Sequence, residues 1–234
     1  MLSTTLSPHA VCLLGRRNSR SMSDFGASSP NSEVTLTSGS YYLKKIQMTS
    51  GKKLILDTSG GDINLAVRDF IELRSGGEVE VVGDGRVNVW ITGQTEAPVS
   101  PSSPVGTSPP SDVALAVGPG GVVDVGTVQD ASQFFVYGRE DFEAVVTGTI
   151  SGSGGNPVFE GVLYAPTTSG GGGEVFTMQG EIYGAVVSGT LEVGQWGQVH
   201  YDESLASVDT IPDNANAIKI TYLHVTVNKV EMKD

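Results

Sequence analysis

Cysteine is nearly absent from this 234-residue chain, since Cys12 is the only one. A disulfide framework within one chain and a zinc site built from cysteines are therefore excluded. Basic residues are also few, with 14 Lys and Arg against 26 Asp and Glu, which gives a net charge of −12. Such a surface repels phosphate backbones, so we expect no nucleic-acid partner. No apolar run approaches the roughly 18 residues that suggest a membrane span, so we expect none in this chain.

Helical patterning is almost absent as well. No apolar stripe of useful length recurs at the spacing of a helix face, and the 31 glycines interrupt nearly every candidate helix. The pattern that does recur is a short segment rich in β-branched residues, followed by Gly, Ser, Asp or Asn. The sequence therefore predicts an all-β protein.

The apolar segments between residues 40 and 93 repeat with a long period. They contain, in order, Ile46, Leu54, Ile63, Ile71, Val79 and Val87. When each of these positions is compared with the third position after it, the offsets are 25, 25 and 24 residues. The turn sequence repeats at the same offset, since "SGKK" at Ser50 matches "SGGE" at Ser75. This period indicates three strands per coil, with each coil stacked on the next. We predict a right-handed parallel β-helix, or β-solenoid, with about 24–25 residues per coil.

The chain divides into a leader and one solenoid domain. Residues 1–32 are predicted to be a disordered leader, and residues 33–234 the solenoid. Residues 93–112 are rich in Pro and Ser, which central strands exclude, so we interpret them as a protruding loop inserted into the solenoid. The alternative is a linker between two domains. The tail "AIKITYLHVTVNKVEM" alternates apolar and polar residues and is predicted to be a closing strand at one end of the solenoid.

The stretch "GQVHYDESL", residues 197–205, is the densest cluster of functional side chains. On a strand, His200 and Asp202 share one face and could form an acid–base or metal pair. The other two histidines lie in the leader and the tail, so a third group is lacking. We favour a structural interpretation, in which Tyr201 lies in the core and Asp202 and Ser204 cap the turn that leaves the last coil.

Acidic loops are the next candidates. Asp57, Asp62 and Asp84 could contribute oxygen ligands to calcium, but their spacing matches neither an EF-hand nor the repeat of calcium-binding solenoids. We interpret them as turn residues. We therefore predict no metal or cofactor site.

A second group of charges resembles the substrate face of a polysaccharide-cleaving β-helix. Asp69 and Glu72 lie close in sequence to Arg68 and Arg74. No second cluster is present to position a substrate, so we interpret these residues as solvated strand positions and expect no catalytic residue and no enzymatic activity.

Two segments resemble a known group of proteins. "EIYGAVVSGTLEVGQWGQVHYDESL" (Glu181 to Leu205) resembles the end of the β-solenoid domain of bacterial pilus-assembly proteins, in which an "IYGA" strand precedes "HYDxxL". "ITYLHVTVNKVEM" (Ile220 to Met232) resembles the closing strand of haloarchaeal proteins that are type IV pilin-like at the N-terminus. The resemblance implies a cell-surface or extracellular protein associated with pili or adhesion. It carries no catalytic residues.

These observations together predict a non-enzymatic structural or adhesion protein that displays loops on a rigid solenoid. Its expected partners are other surface or pilus proteins, or polysaccharide. One alternative is a β-helix that binds or cleaves polysaccharide, and cleavage would require three or more carboxylates on one face, with at least one perturbed pKa. Another alternative is an intracellular scaffold that polymerises through uncapped coils.

Overall fold

The computed structural model describes residues 4–6, 33–91, 113–126, 130–139, 142–150, 152–165 and 173–207. These residues form a parallel β-helix, as the 24–25-residue period predicted. Nearly all of its regular structure is β-strand, together with two short 3₁₀ turns. Within these ranges, no helix has the length and hydrophobicity that crossing a bilayer requires.

The strands follow one another with short connections. The first nine are β1 (Thr4–Leu6), β2 (Glu33–Thr37), β3 (Gly39–Leu43), β4 (Ile46–Thr49), β5 (Lys53–Asp57), β6 (Ile63–Val67), β7 (Ile71–Arg74), β8 (Glu78–Val82) and β9 (Val87–Ile91). The next nine are β10 (Val113–Val117), β11 (Val122–Asp124), β12 (Phe134–Tyr137), β13 (Glu143–Thr147), β14 (Val158–Ala165), β15 (Glu174–Met178), β16 (Glu181–Ser188), β17 (Thr190–Val193) and β18 (Gln198–Tyr201). The 3₁₀ turns are η1 (Ala131–Gln133) and η2 (Glu203–Ser207).

From β5 to β14 each strand pairs with the strand three positions before it, and from β15 to β18 with the strand two positions before it, because β14 and β16 each span two walls; this pairing builds three walls. Wall 1 contains β1, β2, β5, β8, β11, β18 and the first halves of β14 and β16. Wall 2 contains β3, β6, β9, β12 and the second halves of β14 and β16. Wall 3 contains β4, β7, β10, β13, β15 and β17. The strand registers in the early coils, with Leu54 beside Val79 and Ile63 beside Val87, confirm the sequence offsets of 25 and 24.

The core is a column of apolar side chains that point inward from all three walls. Each early strand alternates buried and partly exposed positions, as the burial of Leu54 and Leu56 on β5 shows. Because the strands are parallel and in register, each inward side chain lies above its equivalent in the previous coil. A fully buried side chain of this kind contributes roughly 1.5–3 kcal/mol. The stacked coils therefore share one continuous core.

Glycine allows the walls to meet closely at one corner. Strands β14 and β16 continue without interruption through the corner between walls 1 and 2. Each bends there at one glycine, Gly161 (φ +144°) in β14 and Gly184 (φ +135°) in β16. These two glycines pair across adjacent coils, and a Cβ on Gly184 would collide with the carbonyl oxygen of Gly161. A side chain is therefore excluded at Gly184 by both its backbone conformation and its neighbour.

Three segments of the chain bear on the predicted domain limits. Thr4–Leu6, within residues 1–32, form β1, which pairs in parallel with β2. The strands before and after the Pro/Ser-rich loop, β9 and β10, lie in one coil on walls 2 and 3, as an insertion requires. The rest of the leader, the loop 93–112 and the predicted closing strand 220–232 lie outside the described residues.

The prediction that Asp69 and Glu72 are solvated is wrong. Asp69 and Glu72 are 0% and 2% exposed. Arg68 binds Asp69 through two N–O contacts of 3.0 and 3.3 Å, and Glu72 accepts a hydrogen bond of 2.6 Å from Gln47 and pairs with Arg74 at 3.0 Å. A strand pattern does not show whether the outer side of a sheet is covered, and the fully buried β10 shows that part of wall 3 is buried on both sides. The ion pairs with Arg68 and Arg74 offset the free-energy cost of burying these two carboxylates.

We predict that Gly184→Ala destabilises the protein by roughly 2 kcal/mol or more, because it adds a backbone strain of about 1–3 kcal/mol and a collision with Gly161. Urea unfolding measures the loss. Gly155→Ala is the matched control, since a Cβ at Gly155 meets nothing within 4 Å. Equal stability of the two variants would contradict the close approach of the coils at this corner.

Candidate functional site

A groove of about 330 Å³ lies where the last coils of wall 1 meet the two 3₁₀ turns. Seven residues line it, and this set is called the groove from here on: Ala131, Glu160, Tyr183, His200, Tyr201, Asp202 and Glu203. Its volume is within the range of about 300–1,000 Å³ that is typical of small-ligand sites. The groove therefore combines carboxylates with aromatic rings in a space that a small ligand can enter.

Strand register places three of the groove side chains in one column. Glu160 on β14 pairs with Tyr183 on β16, and Tyr183 pairs with His200 on β18. All three occupy positions between inward-facing residues, so they point outward from wall 1. The ladder hydrogen bonds of three coils thus fix their spacing at about 4.8 Å per step.

The two rings of this column stack on each other. The Tyr183 and His200 centroids lie 4.6 Å apart with planes 12° from parallel. The Tyr183 hydroxyl donates a hydrogen bond of 2.5 Å to Glu181 Oε2, and this bond, more than burial, raises the pKa of Tyr183. Among the described residues, the buried Nε2 of His200 has no hydrogen-bond partner. The stack therefore places two aromatic rings in the lining of the groove.

Burial raises the pKa of Glu160, the half-buried carboxylate at the foot of this column. The nearby charges of Asp124 and Asp202 raise it further, while the hydrogen bond of 3.1 Å that the Val125 amide donates to Glu160 Oε2 lowers it. Three carboxylates therefore converge on wall 1, and one of them has a perturbed pKa. This arrangement matches the condition stated for a cleaving enzyme, and of its three carboxylates only Asp202 was a candidate from the sequence.

Asp202 stabilises the turn after β18. Its Oδ2 accepts a hydrogen bond of 2.8 Å from the Ala131 amide, and its Oδ1 accepts one of 2.9 Å from the Ser204 amide. This confirms the predicted capping role of Asp202 and leaves both of its oxygens engaged, whereas the buried Ser204 Oγ, also predicted to cap the turn, has no hydrogen-bond partner among the described residues. The geometry thus does not support His200 and Asp202 as an acid–base pair.

The predicted core position of Tyr201 is wrong, because this side chain is 56% exposed. Tyr201 does follow the alternation of its strand, and it pairs with Gly184 in the coil below. No further coil covers it within the described part of the chain. Its ring instead lies at the rim of the groove.

A second group of carboxylates on wall 1 is paired with a lysine side chain. The carboxylate oxygens of Glu78, Glu80 and Asp124 lie within 4.8 Å of one another, a spacing that could hold a metal ion. However, Lys53 Nζ lies 2.9 Å from both Glu78 and Glu80. Burial lowers the pKa of Lys53, but its bonds to the two glutamates outweigh burial and raise it. The ammonium group thus bridges Glu78 and Glu80 and offsets part of the negative charge of this cluster.

Two of the acidic loop residues act in turns. Asp57 Oδ1 accepts a hydrogen bond of 3.0 Å from the Ser59 amide, and Asp62 Oδ1 accepts one of 2.8 Å from the Arg86 amide in the next coil. These contacts are those expected of turn-forming aspartates. Asp84 is exposed on the turn between β8 and β9.

Sequence reasoning missed Glu160 and Tyr183. The signal was available, because each residue immediately precedes a glycine, in "FEGVLY" and "EIYGAVV". Alignment of Gly161 with Gly184 superposes the two side chains, as the observed register does.

A second aromatic surface lies on the outer side of wall 2. Trp90 pairs in register with Tyr137, and Tyr137 pairs with Tyr164. The Trp90 and Tyr137 rings stack with centroids 5.6 Å apart, and the Tyr137 and Tyr164 rings are tilted at 6.2 Å. Asn64 and Asn88 form an amide ladder beside them at 3.2 Å. This column contains no carboxylate and lies outside the groove.

We expect Glu160→Gln to stabilise the protein at neutral pH. A carboxyl group whose pKa is raised by folding contributes stability below its unfolded pKa and loses that contribution as pH rises through the folded pKa. Gln keeps an acceptor for the Val125 amide and has no charge to desolvate. The melting temperature of the variant should exceed that of the wild type at pH 7, and the difference should vanish near pH 3. A variant less stable than the wild type at pH 7 would contradict the assignment.

Comparison with known proteins gives one match. Residues 15–208 match the family described as "Domain of unknown function (DUF7305)". Neither the curated proteins nor the solved structures contain a match to this sequence. Because the family match covers most of the 234 residues and includes every strand from β2 to β18, the chain belongs to the DUF7305 family.

Proposed function

We propose that this chain is a non-enzymatic adhesion protein of the cell surface that binds uncharged polysaccharide in the groove. The observation that carries the proposal is the combination of stacked aromatic rings with carboxylates in a space of about 330 Å³. Sugar rings present C–H faces that pack on aromatic rings and hydroxyl groups that donate to carboxylates. The groove offers both kinds of contact.

The charge of the groove supports an uncharged ligand, or one that carries amines. Glu160, Asp202 and Glu203 line it, and none of its seven residues is Lys or Arg. The chain as a whole has a net charge of −12. An anionic polysaccharide would therefore be repelled both at the site and on approach.

Preorganisation supports binding as well. Tyr183 and His200 are held by the parallel ladder of β16 and β18, and η1 is tied to the end of β18 by the bond from Ala131 to Asp202. A site built on strands loses little conformational entropy when a ligand binds. This rigidity agrees with a protein that displays a fixed surface.

The cell-surface location rests on the resemblance of Glu181–Leu205 and Ile220–Met232 to pilus-related proteins. Association with other surface or pilus proteins is part of the same proposal. Fractionation of host cells, followed by detection of the native protein, tests it. We expect the protein in the surface or extracellular fraction, and a protein found only in the cytosol would contradict the proposed location.

Polysaccharide cleavage is a second candidate, which the raised pKa of Glu160 favours, because a protonated carboxyl group can act as a general acid. Asp202 is a poor second catalytic group, since both of its oxygens accept backbone hydrogen bonds. Binding alone therefore agrees better with the geometry. Release of new reducing ends from a bound polysaccharide, abolished in Glu160→Gln, would favour cleavage instead.

The polymerising scaffold receives the least support. Head-to-tail stacking needs an open coil at each end. The inward side chains of the first coil, such as Leu36 and Met48, are 0% and 1% exposed. The first coil is therefore closed to a further coil.

We predict that Tyr183→Ala weakens polysaccharide binding about tenfold, because a stacked ring contributes about 0.5–1.5 kcal/mol beyond its buried area. A glycan array with neutral, amine-bearing and anionic polysaccharides identifies the ligand, and titration calorimetry measures the affinity. Tyr42→Ala is the control, since Tyr42 is an exposed tyrosine in the first coil, outside the groove.

Three results would contradict the proposal. The first is unchanged affinity of Tyr183→Ala. The second is a wild-type protein that binds none of the neutral or amine-bearing polysaccharides. The third is a loss of binding in Trp90→Ala but not in Tyr183→Ala, which would assign the site to wall 2.

A further inference from the structure

The last coil leaves its inward side chains uncovered. Leu191 on β17 lies above the buried Val175, and Val199 on β18 lies above the buried Ile182. Leu191 and Val199 are nevertheless 43% and 37% exposed, and Val193 is 49% exposed. In a β-helix these positions belong to the core, so they lack only a coil above them.

The opposite end of the solenoid differs. In the first coil, Leu43, Ile46 and Met48 also point inward, but each is at most 2% exposed. Within the described residues, β17 pairs only with β15 and β18 pairs only with β16. The last coil therefore presents both an apolar surface and free backbone edges, which natural sheets cover or blunt. We call this surface the open end: Leu191, Val193, Val199 and the free edges of β17 and β18.

We infer that the C-terminal segment 218–230 of the same chain docks on the open end as an additional strand and closes the core. This segment contains the runs "IKITY" and "LHVTV", each of which alternates apolar and polar residues, with the alternation shifting by one residue between Tyr222 and Leu223. A half-buried strand has this pattern. The open end supplies the apolar surface that such a strand needs, and the segment supplies the missing cover.

Chain length agrees with docking in the same molecule. After Ser207, 27 residues follow, and the last two coil-to-coil offsets, Val158 to Glu181 and Glu181 to Gln198, are 23 and 17 residues. One further coil is therefore available. The connection 208–217 can span about 33–36 Å, enough to return from η2 to the end of the solenoid. Such a tether gives an effective concentration in the millimolar range, above that of a free second copy.

Charge favours the same assignment. Segment 218–230 contains Lys219 and Lys229 and no Asp or Glu. The coil that it would cover carries Glu192 on β17 and Glu203 just after β18. A basic strand on an acidic coil is attracted, whereas two copies of the acidic coil repel each other.

Disulfide trapping in the full-length chain tests the inference. Cys12→Ser removes the single native cysteine, and Val199→Cys places a thiol at the open end. It is combined in turn with Leu223→Cys, Val225→Cys or Val227→Cys, which share the apolar face of the segment. Thr226→Cys, on the other face, is the matched control. Oxidation with copper phenanthroline, non-reducing gels and peptide mass mapping identify the bonds.

We expect a disulfide within one chain for at least one apolar-face position, and none for Thr226→Cys. The same tail cysteines combined with Tyr42→Cys in the first coil should form none. Bonds only between chains would overturn the inference and assign the open end to a second copy. The absence of a bond at all three apolar-face positions would also overturn it.

Hydrogen exchange gives a second test that needs no cysteine. If segment 218–230 covers the open end, Val225→Asp should expose β17 and β18, and their amides should exchange about tenfold faster than in the full-length wild type. The control variant Thr226→Asp, on the polar face, should leave exchange in these strands unchanged. Equal protection in Val225→Asp and the wild type would contradict docking.

Discussion

The structure depends on one constraint, which is that parallel coils must stack in register at the spacing of a backbone hydrogen bond. This constraint requires an apolar residue at each inward position, such as Leu54 above Val79, because every core side chain packs on its equivalent in the neighbouring coil. It also requires glycine where backbones approach most closely, at Gly161 and Gly184. The groove follows from the same rule, since its central column is formed by residues equivalent in three successive coils.

The sequence predicted the fold because the fold is periodic. Offsets of 25 and 24 residues between apolar segments are the strand registers themselves, and the turn at Ser50 repeats at Ser75, where both residues adopt positive φ. Periodicity weakens after residue 113, since coil lengths change and glycine-rich connections separate the strands. The sequence therefore indicated the later coils as strands without giving their pairing.

The candidate site was harder to predict because it depends on pairing. Glu160 and Tyr183 are 23 residues apart and become neighbours only when Gly161 is aligned with Gly184. The burial of Glu72 was missed for a different reason, since a strand pattern predicts which face a side chain lies on but not whether that face is covered. Tyr201 is the converse case, because its place in the strand alternation predicts a core position, but no described coil covers it and its ring lies at the rim of the groove.

The corner at Gly161 and Gly184 has a consequence for how such a protein can vary. Strands β14 and β16 pass through this corner without a loop, and each uses a single glycine to turn. An inserted residue there would shift half of the strand against both neighbours and break a continuous ladder. The corner between walls 2 and 3, by contrast, lies between β9 and β10, which are separated in sequence by residues 92–112. Differences in length between family members should therefore accumulate at that corner, which makes it the natural place to insert a peptide tag or a foreign epitope.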